Sequence, residues 1–201
     1  EFENVGQWKR PWYFPKNGET MYQAVQRESK AARESAGILD ASTLGKIDIQ
    51  GEDASEFLNR VYTNAWSKLA IGKCRYGLML NEDGMVYDDG VTTRLDENHY
   101  IMTTTTGGAA TVLGKLEDYL QTEWPELDVY LTSVTDHYAT MSVCGPNSKK
   151  IISKVIPNLD LSDEKFPHMS FRNTKIDKVK CRVMRLSFTG EQSYEINVQA
   201  N

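Results

Sequence analysis

The chain alternates between two kinds of hydrophobic pattern. Helical spacing comes first: Thr20-Met21-Tyr22-Gln23 reads as a capping box, and Met21–Ala36 is rich in helix formers, with Gly37 as its stop. Ile38-Leu39-Asp40 and Lys46–Gln50 then read as short strands, the second alternating Ile47 and Ile49 with polar neighbours. Asp53-Ala54-Ser55-Glu56 reads as a second capping box, opening a short helix that turns Phe57, Leu58 and Val61 inward. A run of strands follows: Arg75–Leu80, Met85–Arg94 and His99–Thr104. They are joined by the turns Asn81-Glu82-Asp83-Gly84 and Asp96-Glu97-Asn98. Strands joined this closely form an antiparallel meander.

Helical spacing returns over Gly107–Thr122, with Val112, Leu113, Leu116 and Leu120 on one side. Asp128–Thr132 and Tyr138–Val143 read as strands, and Asn147–Val155 as a short helix after the break at Gly145-Pro146. A polar loop spans residues 158–168, and the strands Ser170–Thr174, Lys180–Phe188 and Tyr194–Val198 end the series. Helices interspersed among antiparallel strand groups define the α+β class. Residues 1–19 read differently. Trp8, Trp12, Tyr13 and Phe14 sit among Lys9, Arg10, Pro11 and Pro15, a composition expected of an extended linker arm or of simple packing onto the core. The chain stops at Ala200-Asn201 straight after an apolar strand and begins without Met, so a longer parent chain is expected.

The 201 residues are 40% apolar, enough for one domain with a real core. A formal net charge of −5 argues against nucleic-acid binding. No segment approaches the length of an apolar membrane span, and the acidic start Glu1-Phe2-Glu3-Asn4 lacks a signal-peptide pattern. Cys74, Cys144 and Cys181 are odd in number and never paired as CxxC, so small buried residues in a reducing, cytoplasmic compartment are the expectation. His99, His137 and His168 lack metal-ligand spacing. There is no phosphate-binding glycine loop; Gly107-Gly108 is a flexible helix entry.

Two acidic features stand out. Asp88 and Asp89 are adjacent in a strand and therefore face opposite sides of a sheet. The inward one is either a buried structural acceptor or a site residue. Glu195 lies between Tyr194 and Ile196; it either faces solvent on an edge or accepts two adjacent N–H donors from a planar ligand.

Asn81 to Asp89, with its N-E-x-G-x-x-x-D-D form, and Thr189 to Ile196, with its T-G-E-x-x-x-E-I form, together resemble the folate-binding aminomethyltransferase family, which includes the glycine-cleavage T-protein. Cys144-Gly145-Pro146 matches that family's short helix start. Within the family, four stretches are most similar to the C-terminal region of the alpha subunits of heterotetrameric sarcosine oxidases: Gly6 to Pro15, Met102 to Gly107, Leu120 to Pro125 and Ser187 to Val198. The resemblance implies an aminomethyltransferase fold over residues 20–201, incomplete at its C-terminus. It implies tetrahydrofolate as ligand, with FAD, FMN and NAD elsewhere in the intact enzyme. It also implies partner subunits of a hetero-oligomeric oxidase and a sarcosine-derived imine as substrate.

By matching position, Asp89 is the family's catalytic carboxylate, and Glu195 grips the 2-amino and N3 edge of the pterin. Tyr76 is a folate-contacting tyrosine, and Thr104 and Thr105 lie on a loop near the pterin. The implied activity is oxidative demethylation of sarcosine to glycine, with the one-carbon unit passed on as 5,10-methylenetetrahydrofolate. A stand-alone aminomethyltransferase and a non-catalytic assembly module of the same fold are the alternatives.

Overall fold

A computed structural model describes residues 1–200. They divide into two compact units, Glu1–Thr43 with His137–Asn201, and Leu44–Asp136.

The chain starts in the first unit. Its first residues form an antiparallel hairpin, β1 (Phe2–Val5) with β2 (Trp8–Pro11), where an extended arm was expected. Gly6 supplies the positive φ of 60° that the turn requires. Helix α1 (Met21–Glu34) starts where the pattern predicts, and both halves of the capping box form between Thr20 and Gln23. The helix buries only Ala24, consistent with its dense charge, and strand β3 (Gly37–Asp40) follows.

The second unit contains β4 (Gly45–Gln50), α2 (Ala54–Val61), β5 (Cys74–Leu80), β6 (Val86–Asp96), β7 (His99–Thr104), α3 (Ala109–Asp118) and β8 (Tyr130–Ser133). Its strands form a five-stranded sheet in the order β5-β6-β7-β4-β8, with every neighbouring pair antiparallel. The β5-β6-β7 part is the expected meander, with Gly84 at φ 80° in the first turn. Phe57, Leu58, Trp66, Met79, Tyr100, Met102 and Leu116 fill the core between the sheet and helices α2 and α3.

Two local expectations fail here. Asp53 stands at the N-cap of α2 but makes no side-chain cap; its Oδ2 instead accepts from the Asp128 backbone N–H at 2.9 Å. The carboxylate is thus committed to a loop donor 75 residues away rather than to the first turn of its own helix. The helix read over Gly107–Thr122 begins at Ala109 and widens into a π-turn at Tyr119–Glu123. That widening leads to Trp124, which packs against Phe57 and Tyr119 beneath the Arg60 guanidinium.

Returning to the first unit, the chain forms β9 (Tyr138–Cys144), α4 (Ser148–Val155), β10 (Ser170–Ile176), β11 (Val179–Arg185) and β12 (Ser193–Gln199). With β3 they make a second antiparallel five-stranded sheet, ordered β10-β11-β12-β9-β3. The last strand is central, paired on one side with β11 and on the other with β9, so it finds both partners within the chain. Val143, Ile152, Phe166, Val183, Tyr194 and Ile196 form the core under α4. Cys74, Cys144 and Cys181 are all buried, as expected. Among the described residues no helix is long and apolar enough to cross a membrane, and no cluster of side chains could hold a metal ion.

Candidate functional site

The alternation of β6 separates the two aspartates. Asp88 lies opposite Met79 of β5, on the core side, and is only 4% exposed. Asp89 lies opposite Leu78, on the other face, and is half-buried. The two carboxylates therefore meet different partners.

Asp88 reaches the threonine loop. Its Oδ1 accepts from the Thr105 hydroxyl at 2.6 Å and from the Thr105 N–H at 3.3 Å. Its Oδ2 is buried with no hydrogen-bond partner. Burial pushes the Asp88 carboxyl above its ordinary range and the charge of Asp89 adds to the rise, while the Thr105 bonds oppose it. The same surroundings act on Tyr62. Its phenol is pushed up first by burial and then by the charges of Asp88 and Asp89. Gly108 completes this corner, because a Cβ there would fall 2.6 Å from the Thr105 hydroxyl oxygen and 3.0 Å from Asp88 Oδ1.

Asp89 has a different neighbour. Tyr76 stands on β5 opposite Val91, two residues beyond Asp89, so the two side chains share a face diagonally. Tyr76 is half exposed, and its hydroxyl donates to Asp89 Oδ2 at 2.8 Å. That bond, ahead of any burial, raises the Tyr76 phenol above its usual value, since an anionic acceptor opposes a second anion.

Of the sequence-predicted residues, Tyr76 and Asp89 are thus brought into direct contact. Thr105 is exposed and bound to Asp88, whereas Thr104 is 2% exposed and donates to the Thr105 carbonyl at 3.0 Å. Glu195 belongs to the first unit, on the central strand β12, half-buried between Met184 of β11 and Ser142 of β9. It is not on an edge, which removes one reading of its strand position.

Sequence reasoning missed two things. It did not identify Asp88 as the residue that anchors the threonine loop, a contact between positions 17 apart with no local signal. It also did not single out the alternating basic and amide positions of β10, β11 and β12. Asn173, Lys175, Lys180, Arg182 and Asn197 fall on one face there, and a period-2 reading of polar residues could have found them.

The chain matches the GCVT N-terminal domain family over residues 1–201. It is 56% identical, over 100% of its length, to the sarcosine oxidase subunit alpha of Corynebacterium sp. (strain U-96), of which it covers 21%. It thus spans about a fifth of the length of that curated relative. Its fold is similar to that of the glycine cleavage system aminomethyltransferase T from Bartonella henselae, with a TM-score of 0.80 at 24% identity, covering 98% of this chain and 49% of that one. It is also similar to a chain of the heterotetrameric sarcosine oxidase from Corynebacterium sp. U-96 in complex with pyrrole 2-carboxylate. There the TM-score is 0.58 at 15% identity, covering 89% of this chain and 84% of that one. The α+β arrangement of two antiparallel sheets with interspersed helices is therefore an aminomethyltransferase fold, and the chain belongs to the GCVT N-terminal domain family.

Proposed function

We propose that this chain is the tetrahydrofolate-binding part of a sarcosine oxidase, one that demethylates sarcosine to glycine and passes the one-carbon unit to tetrahydrofolate as 5,10-methylenetetrahydrofolate. The observation that carries this reading is the Tyr76–Asp89 pair. An exposed tyrosine holds one carboxylate oxygen at 2.8 Å and leaves the other oxygen for a ligand donor. Identity of 56% to an oxidase alpha subunit favours this over a stand-alone aminomethyltransferase. Retention of the carboxylate–tyrosine pair counts against a non-catalytic module.

Tetrahydrofolate supplies the nucleophilic nitrogens for the reaction. The chain supplies position and electrostatics. Asp89 stabilises positive charge developing at the reacting nitrogens or accepts their proton, and Tyr76 fixes its rotamer through the hydroxyl bond. Glu195 is assigned, separately and on its motif, to the paired N–H donors of the pterin, which a carboxylate accepts with two oxygens. Thr105 and Thr104 shape the loop that Asp88 anchors. Residues 1–19 act as a linker arm and residues 20–201 as the folate-binding domain. FAD, FMN and NAD belong to other parts of the longer oxidase, whose further subunits are this chain's partners.

The test is Asp89→Ala in the complete oxidase. Sarcosine oxidation and folate affinity stay within a few-fold of wild type. Formation of 5,10-methylenetetrahydrofolate falls by about 10²–10⁴, with formaldehyde released in its place. Unchanged methylene transfer overturns the assignment.

A further inference from the structure

Where it carries Asp89, strand β6 is held differently on its two sides. Toward β5 the pairing is continuous: Val91 faces Tyr76, Gly90 faces Gly77, Asp89 faces Leu78 and Asp88 faces Met79. Toward β7 the pairing runs from Asp96 and His99 to Thr92 and Met102 and stops there. Yet β6 reaches back to Val86 and β7 runs on to Thr104. Side chains take over from the main chain. The Thr103 hydroxyl accepts from the Val91 N–H at 3.0 Å and donates to the Val91 carbonyl at 3.3 Å. We infer that Thr103 is a positioning residue for methylene transfer, fixing through Val91 the stretch of β6 from which Asp89 meets Tyr76; this rests on the folate reading above.

The tie is complete and stiff. A hydroxyl is both donor and acceptor, and this one satisfies both main-chain groups of Val91. Threonine is β-branched, so its χ1 is restricted and the hydroxyl is held in place. Contact at the next residue reinforces it. A Cβ on Gly90 would fall 1.9 Å from the Thr103 carbonyl oxygen and 3.3 Å from its hydroxyl oxygen. Thr103 therefore bears on Gly90 and Val91, the two residues that follow Asp89. On the other side of Asp89, the Asp88 carboxylate accepts from the Thr105 N–H at 3.3 Å. Asp89 thus lies between two side-chain ties to the end of β7 and its loop.

The tie leads directly to the site. Val91 is the cross-strand partner of Tyr76, and the Tyr76 hydroxyl donates to Asp89 Oδ2 at 2.8 Å. Asp89 and Val91 are alternate residues of one strand and share a face. A shift of β6 at Val91 therefore changes how Tyr76 meets Asp89. A displacement of about 1 Å at a reacting group can cost about 10²-fold in rate. Thr103 acts on the reaction only through this pair.

The experiment uses the complete oxidase as wild type, Thr103→Val, Thr103→Ser, Tyr76→Phe and Thr103→Val/Tyr76→Phe. Sarcosine oxidation, tetrahydrofolate affinity by calorimetry and formation of 5,10-methylenetetrahydrofolate are measured for each. Thr103→Val removes the hydroxyl and leaves Val91 without its partner. It is expected to lower methylene transfer roughly tenfold to a hundredfold. Sarcosine oxidation and folate affinity stay within about threefold, the split expected when only an interaction of the transition state is lost. Thr103→Ser keeps the hydroxyl and restores transfer to within about threefold of wild type. In the Tyr76→Phe background Thr103→Val costs about threefold or less, because the pair it positions is already broken.

If wild type forms 5,10-methylenetetrahydrofolate and Thr103→Val matches it, Thr103 has no positioning role and the folate reading stands. The role is also overturned by a loss that Thr103→Ser does not restore, or by one undiminished in the Tyr76→Phe background. An equal loss of sarcosine oxidation makes Thr103 a merely structural residue. If Thr103→Val does not assemble, Thr103→Ala removes the same hydroxyl and is held to the same outcomes. A wild type that oxidises sarcosine but forms no 5,10-methylenetetrahydrofolate overturns the folate reading and this role with it.

Discussion

The two units back an antiparallel five-stranded sheet with helices, yet their sheets give carboxylates opposite neighbours. In Leu44–Asp136, the meander sets Asp88 and Asp89 side by side in β6, one under the threonine loop and one under a tyrosine hydroxyl. In the other unit, Glu195 stands on a strand whose face away from the Val183, Tyr194 and Ile196 core leads to Asn197 and, on the neighbouring strands, to Arg182, Lys180 and Lys175. The first pairs two carboxylates, on opposite faces of one strand, with neutral hydroxyl donors. The second mixes a single carboxylate with cations and an unsatisfied amide. Topology alone does not distinguish them; what the alternating positions carry does. A carboxylate's chemistry is set by the strand beside it and by the loop above it.

Removing the packing beneath each surface has the largest expected effect. Trp66 is fully buried against Tyr62 and beside Gly77, and Phe166 is fully buried against Tyr194. Trp66→Ala and Phe166→Ala are each expected to cost about 3–5 kcal/mol in denaturant unfolding. A loss below about 1 kcal/mol in either shows that its sheet does not depend on that core.

Asp88→Asn sharpens the contrast between the two aspartates. Because burial raises the folded-state value of the Asp88 carboxyl, the folded protein holds that proton more tightly than the unfolded chain does. The stability it contributes is complete below the unfolded value of about 3.8 and is lost as pH rises through the folded value. Wild type is therefore expected to lose stability relative to Asp88→Asn as pH increases from that point to neutrality, measured by unfolding at a series of pH values. Parallel pH profiles contradict the buried-acid description.

Tyr76→Phe has the smallest effect on stability, about 0.5 kcal/mol or less, since Tyr76 is half exposed. Its effect on methylene transfer is larger, on the order of tenfold, through loss of a hydrogen bond to a charged group. The split between a small stability change and a larger rate change is the diagnostic. A variant equal to wild type in both respects removes Tyr76 from the site.

Much of this was legible in the residues. The Thr20 capping box, the turn at Gly84 and the strands on either side of it are local events, decided by neighbours within four residues and by the period of the apolar positions. So was the split fate of Asp88 and Asp89, since adjacent residues in a strand must face apart. Their motifs also carried the family resemblance.

Other features depended on distant chain. Asp53 exchanged its cap for a bond to Asp128, the helix after Gly108 widened at Tyr119, and the last strand entered the middle of its sheet between β9 and β11. Which aspartate went inward, and that Thr105 and Tyr76 would bind them, was also decided in three dimensions. Hydrophobic period identifies the buried face of an element but not the partner that covers it. Partners 17, 75 and 13 residues away are chosen by which strands and loops the folded sheet brings within hydrogen-bond reach, and that choice exists only once the chain has closed on itself.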